Sequence, residues 1–363
     1  MKRVIKGRDQ LKYYSSQLDL LFSEVNAPAT MKWSLLEAWL RLHTKTQPFG
    51  ILVWQNNSLV AAALFALYKR CGFCMLSKLG EIGEPYCFAA KDKNASEELV
   101  EGLVEELRKL NRPWIINIAD LADDDPVVTV LATRLNLSKV LKCSHSPQLI
   151  FDDRSDLNKY LSRNTRSAVA KAKNRICRHG IMMEVKWIVD GSEIERYLDE
   201  IVNIHRLRNR QKRGLAKLDD PSLADLFKET LLVHAKAQSL RLLTIRLDGS
   251  LAAFSICIHD RGLLWVYANL VSPDWLSYSA GTIANAEVVR LAFDDSSIKG
   301  VNWGGGLQRF KLSGSVTVVI TNRRIGWSSQ LSRLAWLSIN KIRSLAVVPS
   351  SISPGARYPT LAG

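Results

Sequence analysis

The segment LSYSAGTIANAEVVRLAF, residues 276–293, joins a short polar turn to an apolar stretch with helical periodicity. It follows the strand-like GLLWVYANLV, so the chain is expected to run from a strand through Ser279 and Gly281 into a helix. The first N–H groups of a helix have no partner within it and lie at the positive end of its dipole, where they bind anions. A simpler interpretation is that Gly281 eases a tight turn and Ser279 caps the helix. The pattern indicates either an anion-binding helix start or an ordinary capped turn.

A second candidate for chemistry is the pair Phe310-Lys311, which follows the three glycines at 304–306. Three consecutive glycines favour neither helix nor strand, so this segment is expected to be a loop. It lacks the GK[ST] ending of a P-loop. Lys311 is either one of many solvated cations or a point charge with a role in a site.

His205 is a candidate proton acceptor because it lies in the basic motif IHRLRNRQKRG, where the neighbouring cations favour the neutral ring. The alternative is that His205 packs against its own helix. Asp219 and Asp220 follow in the same segment and either contact an acceptor amine or start the next helix, since Asp-Asp-Pro is a favourable helix start.

Basic residues are concentrated in two stretches. Between Arg154 and Arg178, eight basic residues accompany one acidic residue, Asp156, and six more cations fall between Arg206 and Lys217. On a helix, the first stretch predicts two basic faces and a narrow apolar stripe. The faces comprise Lys159, Arg163, Arg166 and Lys173 on one side and Lys171, Arg175 and Arg178 on the other, and the stripe comprises Leu161, Ala168, Ala172 and Ile176. Like charges at helical spacing destabilise a helix unless anions bind them, so contact with a phosphate or a polyanion is expected.

The composition is that of a globular protein with an excess of positive charge. The chain has 363 residues, enough for two domains, and 47% of them are hydrophobic. Lys and Arg number 50 against 35 Asp and Glu, a net charge of +15, which attracts nucleotide phosphates, RNA or anionic lipid. The basic N-terminus is not followed by a signal-peptide core, and the longest apolar run, LVAAALFALY, is about half a membrane span. We therefore expect a cytoplasmic protein.

The cysteines do not form a recognisable framework. The six of them, at positions 71, 74, 87, 143, 177 and 257, are scattered and expected to be reduced. Cys71 and Cys74 have CxxC spacing, but neither a second such pair nor an HxxxH motif completes a zinc site. No metal is expected.

Two segments of the chain resemble each other at an offset of 192 residues. Residues 50–68 and 242–260 both predict a strand, a tight turn and a strand, with SLVAA and SLAAF after the turn. In each half a strand, a helix and a short strand follow: FCMLSKL, SEELVEGLVEELRKL and WIINIA in the first, LLWVYANL, AGTIANAEVVRLAF and GVNWG in the second. This order predicts a duplicated α+β protein with halves at 1–150 and 151–330. The first half has no SAGT turn, and its loop contains Glu81 and Glu84, which disfavour a phosphate.

Residues 157–327 resemble the acetyltransferase-like domain of the CelD/BcsL group, within the GNAT superfamily. That group is also similar to the Fem-type aminoacyl-tRNA-dependent transferases, which carry two GNAT-like halves. The resemblance rests on RNTRSAVAKAKNRICRHG, IVNIHRLRNRQKRG, RLLTIRLDGSLAAFSICI, YSAGTIANAEVVRLAF and VNWGGGLQRFKLSGS, in this order. The SAGT turn is poorer in glycine and basic residues than the usual GNAT phosphate loop, which leaves the donor open.

The resemblance implies an α+β fold of two tandem GNAT-like halves, each a mixed β-sheet flanked by helices, with the donor site in the second half. It implies transfer of an acyl group, in the simplest case acetyl, from acyl-CoA to an amine on a sugar or a cell-envelope polysaccharide precursor. The first alternative is an aminoacyl-tRNA donor and a Fem-like reaction; the second is a non-catalytic module that binds RNA or anionic lipid. A splayed strand edge would supply the oxyanion donor, and the Thr282 and Ile283 N–H groups would face phosphate. The implied donor-binding residues are Tyr278, Ser279, Gly281 and Thr282; the acceptor-binding ones Arg163, Arg166, Arg206, Arg210 and Phe310; the catalytic ones Lys311 and His205.

The last segments of the chain predict a helix and a tail. LSRLAWLSINKIRSLAVV, residues 331–348, is amphipathic and basic, and either packs against the second half or lies on a membrane surface. PSSISPGARYPTLAG, residues 349–363, is expected to be loose.

Overall fold

A computed structural model describes residues 1–70, 72–80, 86–110, 112–122, 125–135, 138–305 and 318–329. They divide into two compact units. Unit 1 runs to Ser144 and includes the described residues from Thr321 onward, and unit 2 begins at His145. The predicted helix at 331–348 and the tail at 349–363 lie outside the described residues.

The elements follow one another in this order. As far as Ile150 they are β1 (Lys2–Lys6), α1 (Arg8–Tyr13), α2 (Ser15–Glu24), a 3-10 helix (Ala29–Met31), α3 (Trp33–Leu42), β2 (Gln47–Gln55), β3 (Ser58–Arg70), β4 (Phe73–Lys78), β5 (Ala89–Ala90), α4 (Lys93–Lys109), β6 (Trp114–Ala122), α5 (Pro126–Leu135) and β7 (Ser138–Ile150). Then come a 3-10 helix (Leu157–Lys159), α6 (Arg163–Arg178), β8 (Met183–Ile188), α7 (Gly191–Arg213), a 3-10 helix (Lys217–Asp219), α8 (Pro221–Lys236), β9 (Leu240–Leu247), β10 (Ser250–Asp260), β11 (Leu263–Val271), a 3-10 helix (Pro273–Tyr278), α9 (Ala280–Asp294), β12 (Gly300–Asn302) and β13 (Val318–Ser328).

Each unit contains a mixed sheet with helices packed against it, as the resemblance implies. In unit 1 the strand order is β1-β2-β3-β4-β6-β13, with β4 and β6 parallel and the other neighbours antiparallel. In unit 2 the end of β7 is followed by β12-β11-β10-β9-β8, with β11 and β12 parallel. The two halves thus share a hairpin, a third strand, a helix and a parallel strand in the same order.

Both predicted hairpins are confirmed, and each contains a bulge at the same place. The turn residues at 56–57 and 248–249 all have positive φ, which matches the twist of a two-residue hairpin. In β3 the register skips Val60, and in β10 it skips Ala252, 192 residues later. The shared bulge supports the duplication inferred from sequence.

Helices cover both faces of the unit 2 sheet. Buried side chains of α6 and α9 pack on one face, together with Leu243 and Ile245 of β9. Those of α7 and α8 pack on the other face, together with Leu242 and Phe254. We refer to these as the α9 face and the α8 face.

Helix α4 begins three residues before its predicted start at Ser96. The Asp92 carboxylate accepts a hydrogen bond from the Ala95 N–H and so caps the helix at its N-terminus. An anionic side chain therefore occupies the start of α4.

Within the described part of the chain, no helix is long and apolar enough to cross a bilayer. The same residues contain no cluster of His, Cys, Asp and Glu suited to a metal ion. Cys74 and Cys257 are buried thiols and Cys177 is an exposed one.

Candidate functional site

Strand β11 contains a bulge at Tyr267. Ile256 of β10 pairs with Ala268 and Cys257 pairs with Val266, so Tyr267 is skipped in the register. As a result, even-numbered side chains of β11 point to the α9 face before the bulge and to the α8 face after it. Bulges of this kind re-aim side chains and are frequent beside active sites.

Strands β11 and β12 diverge after a short parallel ladder. They pair only between residues 263–265 and 300–302. Among the described residues, no strand continues the ladder along β11 from Val266 to Val271. The described ladder between β11 and β12 therefore ends just before the bulge, at a place where a backbone N–H of β11 could stabilise a developing oxyanion.

Helix α9 starts with open N–H groups. Ser279 adopts a left-handed conformation, with φ 57°, and its side chain makes no capping bond, so the predicted cap by Ser279 is wrong. The Ser279 carbonyl turns back over the helix and accepts from the N–H groups of Thr282, at 2.9 Å, and Ile283, at 3.4 Å. These two groups were expected to face a phosphate, but they are already bonded. In the described part of the chain, the N–H groups of Ala280 and Gly281 have no partner and are the available donors.

Gly281 allows α9 to lie close to the end of β11. A Cβ atom at this position would be 2.8 Å from Cγ2 of Val271, closer than real side chains approach each other. The φ of residue 281 is not in the left-handed region. Close packing against Val271, and not turn geometry, therefore explains why this residue is a glycine.

The C-terminal half of α6 contacts the turn before α9. The Arg175 guanidinium donates to the Ser277 carbonyl, and Nδ1 of His179 lies 3.0 Å from the Tyr278 hydroxyl. Tyr278, a predicted donor-binding residue, is thereby held against α6 at the edge of the α9 start.

Glu287 joins α6 to α9 about two turns beyond the start of α9. Its carboxylate accepts from Lys173 at 2.9 Å and from Arg290 at 2.7 Å. Burial alone would raise the pKa of Glu287, but the hydrogen bonds from Lys173 and Arg290 outweigh it and hold the pKa below the ordinary value. Glu287 is thus a charged clamp that fixes α9 relative to α6.

Comparison with known proteins identifies this part of the chain. Residues 163–312 match the family model of the acetyltransferase (GNAT) domain. This segment is therefore similar to GNAT domains. The protein is accordingly an acyltransferase. No curated protein sequence matches the chain.

Solved structures share the fold over nearly the whole chain. FemX superposes with a TM-score of 0.59 at 10% identity, covering 90% of this chain and 98% of FemX. The C-terminal domain of a putative lysylphosphatidylglycerol synthetase from Agrobacterium fabrum gives 0.53 at 13% identity, covering 94% and 99%. L-PGS from Bacillus licheniformis gives 0.52 at 12% identity, covering 90% and 96%. At these identities the likeness concerns the fold alone, and the CelD/BcsL subgroup stays a prediction.

The basic helix α6, at the start of the GNAT-like segment, differs from its predicted pattern. It starts at Arg163, because the Ser162 side chain caps it by accepting from the Thr165 N–H, and Lys159 lies in a separate 3-10 helix. Ala172 and Ile176 are buried as predicted, but Ala168 is exposed because it lies at the margin of the packed face.

The cations of α6 fall into two groups. Arg166 donates to two backbone carbonyls of the segment before the helix, and Lys173 and Arg175 are held by α9 and its turn. No partner among the described residues is found for the others, which are Arg163, Lys171 and Arg178. These three point outward without any acidic residue on the helix.

The predicted residues of α7 are engaged within the fold. His205 is buried, with only 4% exposed, and its ring contacts the Asn209 amide and Phe227. Arg206 donates to the Leu218 carbonyl at 2.6 Å.

Arg210 forms a two-bond pair with Asp219, at 2.7 and 3.1 Å, and this contact lowers the pKa of the Asp219 carboxyl. Asp219 is therefore held by a cation and not open to an acceptor amine, whereas Asp220 caps α8 as a helix start should. The predicted Phe310 and Lys311 lie outside the described residues.

Three polar residues, one each on β10, β11 and α9, were missed from the sequence. The Asn269 side chain donates to Asn285, one turn beyond Gly281, and Asn269 pairs across the strands with Ser255. The Ser255 hydroxyl is fully buried and makes no hydrogen bond among the described residues. The sequence did contain a signal for these residues, because Ser255, Asn269 and Asn285 each interrupt an otherwise apolar stretch.

Proposed function

We propose that the GNAT domain transfers an acyl group, in the simplest case acetyl, from acyl-CoA to an amine on a sugar or a cell-envelope precursor. The observation that carries this proposal is the contrast between the two duplicated helix starts. The start of α4 in unit 1 is closed by the Asp92 carboxylate, whereas the start of α9 in unit 2 is uncapped. Only the second is suited to the phosphates of a donor, which supports a single donor site in unit 2.

The donor would bind along the splay. Its phosphates would meet the N–H groups of Ala280 and Gly281, and its acyl end would reach β11 beside the bulge, where the described ladder with β12 ends. The amine nitrogen attacks the thioester carbonyl, a C–N bond forms, and the C–S bond breaks. The amine gives up a proton and the coenzyme A thiolate leaves. A β11 N–H would stabilise the oxyanion between these steps.

Two side-chain roles belong to this proposal. Lys311, beside Phe310, would steady a phosphate or the acyl carbonyl as a point charge. His205 would accept the amine proton, but its burial beneath Phe227 means that the proton would have to pass through a neighbouring group. Replacing Lys311 with Ala and His205 with Gln tests the roles separately: full turnover by either variant removes that residue from the reaction.

The rival donor is aminoacyl-tRNA. It is supported by the fold shared with FemX and by Arg163, Lys171 and Arg178 on the outer side of α6, for which no partner is found among the described residues. Such a surface suits a phosphate backbone. The amine would still attack an acyl carbonyl, and the donor bond that breaks would be that of an ester in place of a thioester.

Thermal unfolding with acetyl-CoA, with charged tRNA and with uncharged tRNA separates the two donors. A ligand that binds the native protein increases its free energy of unfolding, by about 2.7 kcal/mol at a hundredfold excess over Kd. The melting temperature rises as a result. We expect the rise with acetyl-CoA, accompanied by thiol release when an amine is added. A shift with charged tRNA alone would establish the rival, and no shift with any ligand would refute both donor proposals.

A further inference from the structure

The two faces of β11 differ in chemistry. On the α9 face, the strand meets the open helix start that suits a donor phosphate. On the α8 face it presents Trp265 and Tyr267, both half-buried, with ring centroids 5.3 Å apart in an edge-to-face arrangement. The donor and the aromatic pair are therefore separated by the strand itself.

The aromatic pair belongs to a continuous wall of rings. Phe227 of α8 lies parallel to Tyr267, with centroids 6.4 Å apart, and His205 of α7 lies 5.9 Å beyond Phe227. At the other end, a Cβ atom at Gly304 would be 3.2 Å from Nε1 of Trp265. The wall thus runs from α7 to the chain just after β12, where the strands splay.

We propose that Trp265 and Tyr267 bind the acceptor, and that the acceptor is an amino sugar whose ring lies against them. This inference rests on the proposed function. If the donor occupies the α9 face and its acyl carbon reaches β11 where the described ladder with β12 ends, the attacking amine must come from the side that the donor leaves free. That side is the α8 face, and its two half-buried rings, set edge-to-face, offer an apolar surface beside the splay.

The charges of α7 restrict the class of amine. The helix ends in a run of cations after His205, and one acidic residue of the following turn, Asp219, is already paired with Arg210. A polyamine would be repelled by this surface. An amino sugar has a single amine and a ring with an apolar side. A phosphate substituent on the sugar would be compatible with the cations at the end of α7.

The test uses glucosamine as the probe and spermidine as the comparison amine. Saturation-transfer NMR measures binding of each to the full chain, and thiol release from acetyl-CoA measures transfer. Trp265→Leu and Tyr267→Leu remove the rings from the wall. Trp187→Leu is the matched control, since Trp187 is also half-buried but packs on the α9 face from the edge strand β8.

We expect glucosamine to bind the wild type and the Trp187→Leu control, and its affinity to fall about tenfold or more in each wall variant, the loss that removal of a stacked ring produces. The KM for glucosamine should rise by the same factor while the KM for acetyl-CoA is unchanged. Tyr267→Phe keeps the ring and should keep the affinity. If Tyr267→Leu loses affinity and Tyr267→Phe does not, the loss comes from the missing ring and not from a general defect in folding.

The inference is overturned if the wild type does not bind glucosamine, if spermidine binds better, or if the wall variants bind like the control. Its failure is distinct from failure of the proposed function. Glucosamine binding that depends on the wall, without thiol release from acetyl-CoA, would uphold the acceptor site and refute the acetyl-CoA donor. Equal thiol release by the wild type and the wall variants would uphold the acetyl-CoA donor and refute the acceptor site.

Discussion

Gly281 tests how closely α9 must approach β11. A Cβ at this position would lie 2.8 Å from Cγ2 of Val271, whereas carbon atoms in contact lie about 3.5–4.0 Å apart. Valine is branched at Cβ and has little freedom to turn away, so the start of α9 would have to move by roughly 1 Å. Overpacking of this kind costs about 1–3 kcal/mol, more than the gain of up to about 1 kcal/mol from replacing a helical glycine by alanine. We expect Gly281→Ala to lower the free energy of unfolding.

A double-mutant cycle isolates that contact. Val271→Ala alone should cost about 1 kcal/mol through lost packing, but in its background Gly281→Ala should become neutral or stabilising. The expected coupling is about 1 kcal/mol or more, measured by chemical denaturation at neutral pH. Additive effects of Gly281→Ala and Val271→Ala would refute the close-packing explanation.

The same cycle measures the link between packing and donor binding. Displacement of α9 in Gly281→Ala should weaken acetyl-CoA binding, and the added Val271→Ala change should restore it. Gly281→Val is a poorer probe, because its larger side chain meets Val271 and the space for a phosphate at the same time.

Three further outcomes are expected. Gly300→Ala should destabilise unit 2 by about 3 kcal/mol or more in denaturation, because the new Cβ would overlap the Leu149 carbonyl oxygen, a backbone atom held in the sheet; a loss below 1 kcal/mol would contradict the register of β12. Glu287→Gln should cost about 1–3 kcal/mol at pH 7. Because the folded pKa of Glu287 is depressed, this difference from wild type should persist above the ordinary carboxyl pKa and vanish as the pH falls through the lower folded value, and a pH-independent difference would argue against the clamp. In native protein, iodoacetamide should label the exposed Cys177 well before Cys257, whose pKa is raised by complete burial, as peptide mass spectrometry would record.

The repeated architecture could be predicted from sequence because it depends on local signals. Turn residues at 56–57 and 248–249 and the strands beside them determine both hairpins, and the apolar periodicity after Ala280 determines α9. The start of α8 at Pro221 followed from Asp220 and the proline for the same reason.

The details of the site depend on contacts that no local pattern contains. Ser279 has a capping side chain, but its left-handed backbone turns the carbonyl, not the hydroxyl, toward the first turn. His205 was judged by its charged neighbours in sequence, whereas its burial is set by Phe227 from another helix. The bulge at Tyr267, which decides what each face of β11 presents, is a matter of register with β10 and leaves no trace in the alternation of residue types.

The late position of β13 has a consequence for how the chain is made. Strand β6 is hydrogen-bonded on one side by β4 and on the other by β13, which is encoded roughly 200 residues after β6. At about 5–20 residues per second, a ribosome needs on the order of 10–40 s to travel that distance. Throughout this interval one edge of the first sheet is exposed and able to pair with a foreign strand. The N-terminal unit is thus the first to be synthesised and the last to be completed, and a chaperone that covers β6 during translation would have its greatest effect there.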